Sequence, residues 1–211
     1  MKIIEVKSLA MPNVKVIKYG RFNDHRGYFT EIYRKSDYDS NPQLSFMKGV
    51  QFTQCNEAYS KAGTVRGLHF QWNPYMGKMV RVLWGRLIDM VLDIRKGSPT
   101  SGKIIGYEMT SKPEDDHSEW IWLPPGFAHG PIFPEDSHIE YFCTGQWNPE
   151  CEASISPLAK DIDWSLCDPK IKKVFDSIVP KTKLMTDKDR NGYSVSAWAK
   201  SKDSDNFKFP L

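Results

Sequence analysis

Lys78-Met79-Val80-Arg81-Val82-Leu83-Trp84-Gly85-Arg86-Leu87-Ile88-Asp89-Met90-Val91-Leu92-Asp93-Ile94 decides the fold. Lys78 to Trp84 alternates as a strand, and Gly85-Arg86 closes it. Leu87 to Ile94 is the most apolar strand of the chain and carries Asp89 and Asp93 on one face. Two acids in so apolar a run need partners when buried, and Lys78, Arg81 or a histidine are the candidates. Asp93 reads as a structural partner of Arg95 or Arg81.

Outward from this stretch the same pattern repeats. Downstream, the turn Gly97 to Gly102 leads into strands at about 103–110 and 118–123. Pro124-Pro125-Gly126 then turns the chain into His129. Ser137 to Cys143 is a further strand carrying Tyr141, ended by Trp147-Asn148-Pro149. A short helix is expected near 168–177, a charged turn at 186–192, and a polar tail over about 195–211, mobile from Lys200 onward. Upstream, Arg66-Gly67-Leu68-His69-Phe70-Gln71 alternates, which puts Arg66, Leu68 and Phe70 on one face and Gly67, His69 and Gln71 on the other. Gly49 to Ala58 reads as a strand with Gln54 and Asn56 on one side, and Tyr28 to Tyr33 as another after the Asp24-His25-Arg26-Gly27 turn. Residues 35–48 form a short helix or loop, and two strands open the chain. Many short strands between Gly and Pro turns, with almost no helical period, indicate an all-β sandwich or barrel. Residues 1–211 fit one domain.

Composition narrows the function. A net charge of +3, with basic and acidic residues interspersed, gives no argument for nucleic acid. No apolar run approaches the roughly 20 residues of a membrane span. The N-terminus has no signal-peptide core. The four cysteines, Cys55, Cys143, Cys151 and Cys167, contain no CxxC pair, so a zinc ribbon is not expected and cytosolic free thiols are. There is no GxGxxG, P-loop or HExxH motif. An Arg and a His on the 66–71 strand suit an anion clamp and a proton shuttle, and His129 is the natural second member of such a site. On spacing alone, two structural histidines explain these positions equally well.

The residues also carry a resemblance. Asp24-His25-Arg26-Gly27-x-Phe29-x-Glu31, Gln54-x-Asn56, Arg66 to Gln71, Lys78-x-Val80-Arg81-Val82, Asp89-x-x-x-Asp93-x-Arg95-x-x-Ser98-Pro99-Thr100, Pro124-x-Gly126-Phe127-Ala128-His129-Gly130, and Tyr141 with Lys188-Asp189 resemble, in order, the dTDP-4-dehydrorhamnose 3,5-epimerase family. The likeness covers about residues 19–192. It implies a cupin-type jelly roll with a few short peripheral helices, a cytoplasmic homodimer that exchanges a strand, no metal or other cofactor, and a nucleotide-linked 4-keto-6-deoxyhexose as substrate. By the same resemblance His69 is the general base, Asp189 orients it, Tyr141 is the acid on the opposite sugar face, and Lys78 is the cation near the ketone oxygen with His129 beside it. Arg66, Gln54 and Asn56 line the ligand site. Arg26, Phe29 and Glu31 contact the nucleotide across the dimer. Trp147 stands where the family has an aromatic, usually Tyr, that packs on the sugar or base. Pro131 replaces an aromatic, the loop from His69 to Lys78 is short, and the chain is extended after Gly192.

The chemistry needs a base, a donor for the growing charge on O4 and an acid on the far face, and needs no redox cofactor. Inversion at C3, at C5 or at both stays open, as does the nucleotide. Two other classes compete. A metal-dependent cupin dioxygenase or isomerase wants His-x-His, and Gln71 stands where the second His belongs. A non-catalytic sugar-nucleotide binder would not need the full set of base, orienter, cation and acid.

Overall fold

The structure is a computed structural model that describes residues 1–210. In chain order it runs β1 (Ile3–Ser8), β2 (Lys15–Gly20), the hairpin β3 (Phe22–Asp24) and β4 (Gly27–Phe29), α1 (Lys35–Ser40), β5 (Gln54–Ser60), β6 (His69–Gln71), β7 (Lys78–Asp93), β8 (Ile104–Ser111), β9 (His117–Leu123), β10 (Phe127–Ile132), β11 (Ser137–Cys143) and β12 (Glu152–Ser154). The helices α2 (Pro169–Ile178), α3 (Asp187–Arg190) and α4 (Val195–Lys200) follow. Every paired strand is antiparallel.

The two strands expected from Lys78 to Ile94 are one 16-residue strand, β7, and it belongs to both layers of a sandwich. Its first half pairs with β9 and β11, which builds a layer β1-β2-β9-β7-β11-β5. Its second half pairs with β8 and β10, which builds a layer β8-β7-β10-β6-β12. The register against β11 slips where His138 faces Trp84 and Ile139 faces Val82, so Leu83 is an extra residue. This bulge reverses the parity of the strand. Val80 and Val82 face the core before it, and Leu87 and Val91 after it. Gly85 makes the bend at φ 89°, where a Cβ would lie 2.4 Å from the Asp136 carbonyl oxygen.

Three apolar layers result. Val16, Val80, Val82, Leu87, Val91, Ile121, Phe127 and Ile139 fill the space between the sheets. Ile17, Tyr19, Met79, Trp120 and Trp122 lie on the outer side of the first sheet, covered by Tyr38, Leu44 and Met47 from the 35–48 segment. Phe70, Ile88, Met90 and Leu92 lie on the outer side of the second sheet, covered by Phe175, Trp198 and Phe207 from the C-terminal segment. This is the all-β jelly-roll sandwich with short peripheral helices that the resemblance implied.

Several local expectations are corrected. The strand expected from Gly49 begins at Gln54, and the one expected over 66–71 covers only His69–Gln71. The Tyr28 to Tyr33 strand stops at Phe29 and is half of an exposed hairpin. The charged turn at 186–192 contains the helix α3. The mobile tail is folded: α4 and a 3₁₀ turn at Lys202–Asn206 bury Trp198 and Phe207 against Phe70, with ring centroids 4.6 and 5.8 Å away. Leu211 lies outside the described residues.

Candidate active site

A cavity of about 570 Å³ opens between the two sheets at one end of the sandwich. The strands' periodicity decides what lines it. On the first sheet, Tyr141 stands opposite Val80 of β7 and Asn56 of β5, so Lys78, Val80, Ile139, Tyr141 and Ala58 share the inward face. On the second sheet His69 of β6 faces His129 of β10, with Pro131 next on the same side. Base candidate and acid candidate therefore project from opposing sheets.

Arg66 also lines this cavity, which corrects its assignment to the face opposite His69. Gly67 breaks the alternation at φ 115°. Its missing Cβ lets β10 pass: a Cβ there would lie 2.6 Å from the His129 carbonyl oxygen, and one on Gly130 2.3 Å from that of Arg66. The Arg66 guanidinium donates to Ser60 Oγ at 3.0 Å and to the Tyr59 carbonyl at 3.3 Å.

His69 Nε2 is 2.6 Å from Asp189 Oδ1. Asp189 is delivered by α3, where the Thr186 hydroxyl caps the first turn by accepting from the Asp189 amide at 3.2 Å. The chain after α3 is tied to β12, with the Tyr193 amide donating to the Ser154 carbonyl at 2.9 Å, and Ser154 is in register with His69. Burial pushes the Asp189 carboxyl up, but hydrogen bonds from His69, the Gly67 amide and Thr186 outweigh it and hold the group below the usual carboxylate range. A carboxylate that accepts from Nε2–H leaves Nδ1 as the basic nitrogen.

Burial pushes the half-buried Lys78 ammonium down, against the pull of Cys143, Glu152 and Asp89. Its Nζ is 6.0 Å from the centre of the Tyr141 ring. Burial, with Cys143 close by, raises the Tyr141 phenol despite Arg66. The hydroxyl thus keeps its proton through neutral pH. His129 Nδ1 is 3.0 Å from Asp89 Oδ1. Burial pushes His129 down in spite of Asp89, and Lys78 adds to the effect, so the ring is neutral at pH 7. Of the two buried acids on β7, Asp89 thus serves the cavity. Asp93 instead braces Arg95 at 2.9 and 2.7 Å and accepts from Ser98 and Thr100, both at 2.6 Å.

The remaining expected residues lie outside the cavity wall. Gln54 and Asn56 share the inward face of β5 but bond to each other at 3.0 Å, and Gln54 Oε1 accepts from the Trp147 amide at 2.9 Å. The Trp147 ring is exposed. Arg26, Phe29 and Glu31 sit on or just after the β3–β4 hairpin: Arg26 pairs with Asp24 at 2.7 Å, Glu31 pairs with Arg34, and Phe29 is 65% exposed. Sequence reasoning missed Glu152 and Lys183. Glu152 is ion-paired with Lys188 beside His69; burial pushes it up, but Lys188 and His69 together hold it below the usual range. No sequence signal marks it, because only the pairing of β12 with β6, which sets Glu152 in register with Gln71, brings it there. Gln71 itself is used up structurally: its amide donates to the carbonyls of Pro74 at 3.0 Å and Gln146 at 2.9 Å and accepts from the Asn148 amide at 2.8 Å. Among the described residues no three His, Cys, Asp or Glu side chains are grouped to hold a metal, and no helix is long and apolar enough to cross a membrane.

The family model for dTDP-4-dehydrorhamnose 3,5-epimerase matches residues 8–197. The dTDP-4-dehydrorhamnose 3,5-epimerase of Pseudomonas aeruginosa is 34% identical over 188 residues, 87% of this chain and 92% of the relative. That of Neisseria gonorrhoeae is 35% identical over 150 residues, but those cover only 43% of its own length and 71% of this chain. A crystal structure of the dTDP-6-deoxy-D-glucose-3,5-epimerase from Legionella pneumophila, in complex with dTDP-4-keto-L-rhamnose, superposes with a TM-score of 0.78 and 28% identity, covering 97% of both chains.

Proposed function

The chain belongs to the dTDP-4-dehydrorhamnose 3,5-epimerase family and is a cupin-type carbohydrate epimerase of deoxysugar biosynthesis; from that premise we propose its substrate and the roles of its residues. The substrate is a nucleoside diphosphate-linked 4-keto-6-deoxyhexose, with dTDP the nucleotide. The observation that carries the reading is the placement of His69, held by Asp189, and Tyr141 on facing sheets across one cavity, with Lys78 beside them.

His69 Nδ1 removes the hydrogen at C3 or C5, each of which flanks the C4 ketone. Asp189 fixes the tautomer and steadies the imidazolium that forms. Charge builds on O4, and the Lys78 ammonium meets it; loss of one such donor commonly costs about 3–4 kcal/mol of barrier. Tyr141 returns a proton to the other face. His129, neutral and with Nδ1–H directed at Asp89, presents Nε2 as an acceptor. That suits a sugar hydroxyl better than an oxyanion, so Lys78 carries the O4 charge alone. Arg66 holds the diphosphate. The exposed hairpin supports a homodimer in which Arg26, Phe29 and Glu31 reach the partner's nucleotide, and Trp147 packs against it. The chain works as one domain, in the cytoplasm, without nucleic acid, membrane or cofactor. The cofactor-free reading is supported by the donor set, in which Asp89, Asp189 and Gln71 are all taken by protein partners.

The test is incubation with dTDP-, GDP- and CDP-linked 4-keto-6-deoxyhexoses in deuterated water, followed by NMR. The dTDP sugar should gain deuterium at the inverted centre or centres, and His69→Ala should abolish the gain. Binding without exchange would indicate a sugar-nucleotide binder. Activity lost to a chelator and restored by one divalent ion would indicate a metal-dependent cupin.

A further inference from the structure

The charges around the cavity do not balance. The carboxylate that lines it and the two next to its lining residues all have protein partners: Asp189 has His69, Asp89 has His129 and Glu152 has Lys188. Among the described residues the half-buried Lys78 has none, and neither do two exposed cations at the rim. Arg66 bonds only to a hydroxyl and a carbonyl. Lys183 lines the cavity and makes no ion pair or side-chain hydrogen bond there.

Lys183 is not a freely placed surface lysine, because its backbone is pinned on both sides. The Thr182 hydroxyl donates to the Gly63 carbonyl at 2.6 Å and accepts from the Leu184 amide at 2.9 Å. The Val65 amide donates to the Leu184 carbonyl at 3.0 Å, and Arg190 donates to the Thr182 carbonyl at 3.1 Å. The Val65–Leu184 bond sets residues 66 and 183 one step either side of the same contact. Two cations fixed at one rim, with no protein counter-charge, match a ligand carrying adjacent anionic groups.

We propose that Lys183 is a second cationic contact for the substrate's diphosphate, beside Arg66 at the same rim. The proposal rests on the nucleotide-sugar reading of the site and adds a binding residue to it. The long, flexible ammonium stem tolerates different diphosphate poses, while the Arg66 fork, fixed by Ser60, sets the register.

The test is titration of the full-length protein with dTDP by calorimetry, for the parent, Lys183→Gln and Lys181→Gln. Lys181 sits two residues away, outside the cavity wall, and carries the same charge. Lys183→Gln should weaken dTDP by about tenfold, as loss of one partly solvated charge-assisted contact does, and flatten the salt dependence of binding. KM for the sugar nucleotide should rise by a similar factor, with kcat less affected. Lys181→Gln should bind dTDP as the parent does, and matching melting temperatures show that both variants fold. Parent-like dTDP affinity in Lys183→Gln, or equal losses in both variants, would overturn the contact and leave the rest of the site standing. A parent protein that binds no dTDP would overturn the nucleotide reading itself, and this proposal with it.

Discussion

At the scale of single residues, the site depends on which nitrogen of His69 is free. Asp189 bonds to Nε2, so Asp189→Asn replaces an acceptor by an amide that favours the wrong tautomer. Its kcat should fall by about 10²- to 10⁴-fold with dTDP affinity retained, as measured by steady-state kinetics beside calorimetry. The pH profile tests Lys78. Its proposed role requires the charged form, and burial lowers its pKa, so the ammonium is lost at a lower pH than that of free lysine. Tyr141 is shifted the other way and holds its proton longer. The alkaline fall of kcat/KM should therefore belong to Lys78 and move to higher pH in Lys78→Arg; an unmoved limb would assign it elsewhere. The identities of these residues were legible in the sequence through the order of the motifs. The geometry was less so. Strict alternation put Arg66 and His69 on opposite faces, because a left-handed glycine between them cannot be read from a two-residue period. Lys183 carried no signal at all, since only tertiary hydrogen bonds fix its place.

At the scale of elements, the apolar pattern of Lys78 to Ile94 announced strands, and the Gly85-Arg86 break was visible. A break between two strands and a bend within one look alike in sequence. The bulge at Leu83 is what lets one strand face the same interior in both sheets. Gly85→Ala should cost at least about 1 kcal/mol in chemical denaturation, because the bend demands a positive φ and leaves no room for a Cβ. The C-terminal segment misled for a different reason. Its composition is polar, and two aromatic anchors, Trp198 and Phe207, do the packing. Trp198→Ala should lower stability by about 3–5 kcal/mol. A tail that was mobile would tolerate the change without a shift in melting temperature. Because Asp189 lies just before this segment, the same variant should also lower kcat at temperatures where it remains folded.

At the scale of the whole molecule, the sandwich is a device for presenting one ring to two walls. The proposed dimer, in which each chain completes the other's nucleotide site through the exposed aromatic hairpin, would be a second level of assembly. Mixed dimers test this: Arg26→Ala and His69→Ala chains, each impaired alone, should regain part of the activity when refolded together, and no gain on mixing would count against a shared site. The central claim concerns the walls themselves. If His69 works from one sheet and Tyr141 from the other, proton removal and proton return are separable by mutation. Tyr141→Phe keeps the ring and deletes the hydroxyl. The decisive measurement is the rate of deuterium entry into recovered dTDP-linked 4-keto-6-deoxyhexose and the rate of inversion, both on one folded sample of this variant. The account predicts continued deuterium entry with configuration retained, while inversion falls by about 10²-fold or more. Inversion at the parent's rate, or exchange and inversion falling together in a fully folded sample, would contradict it.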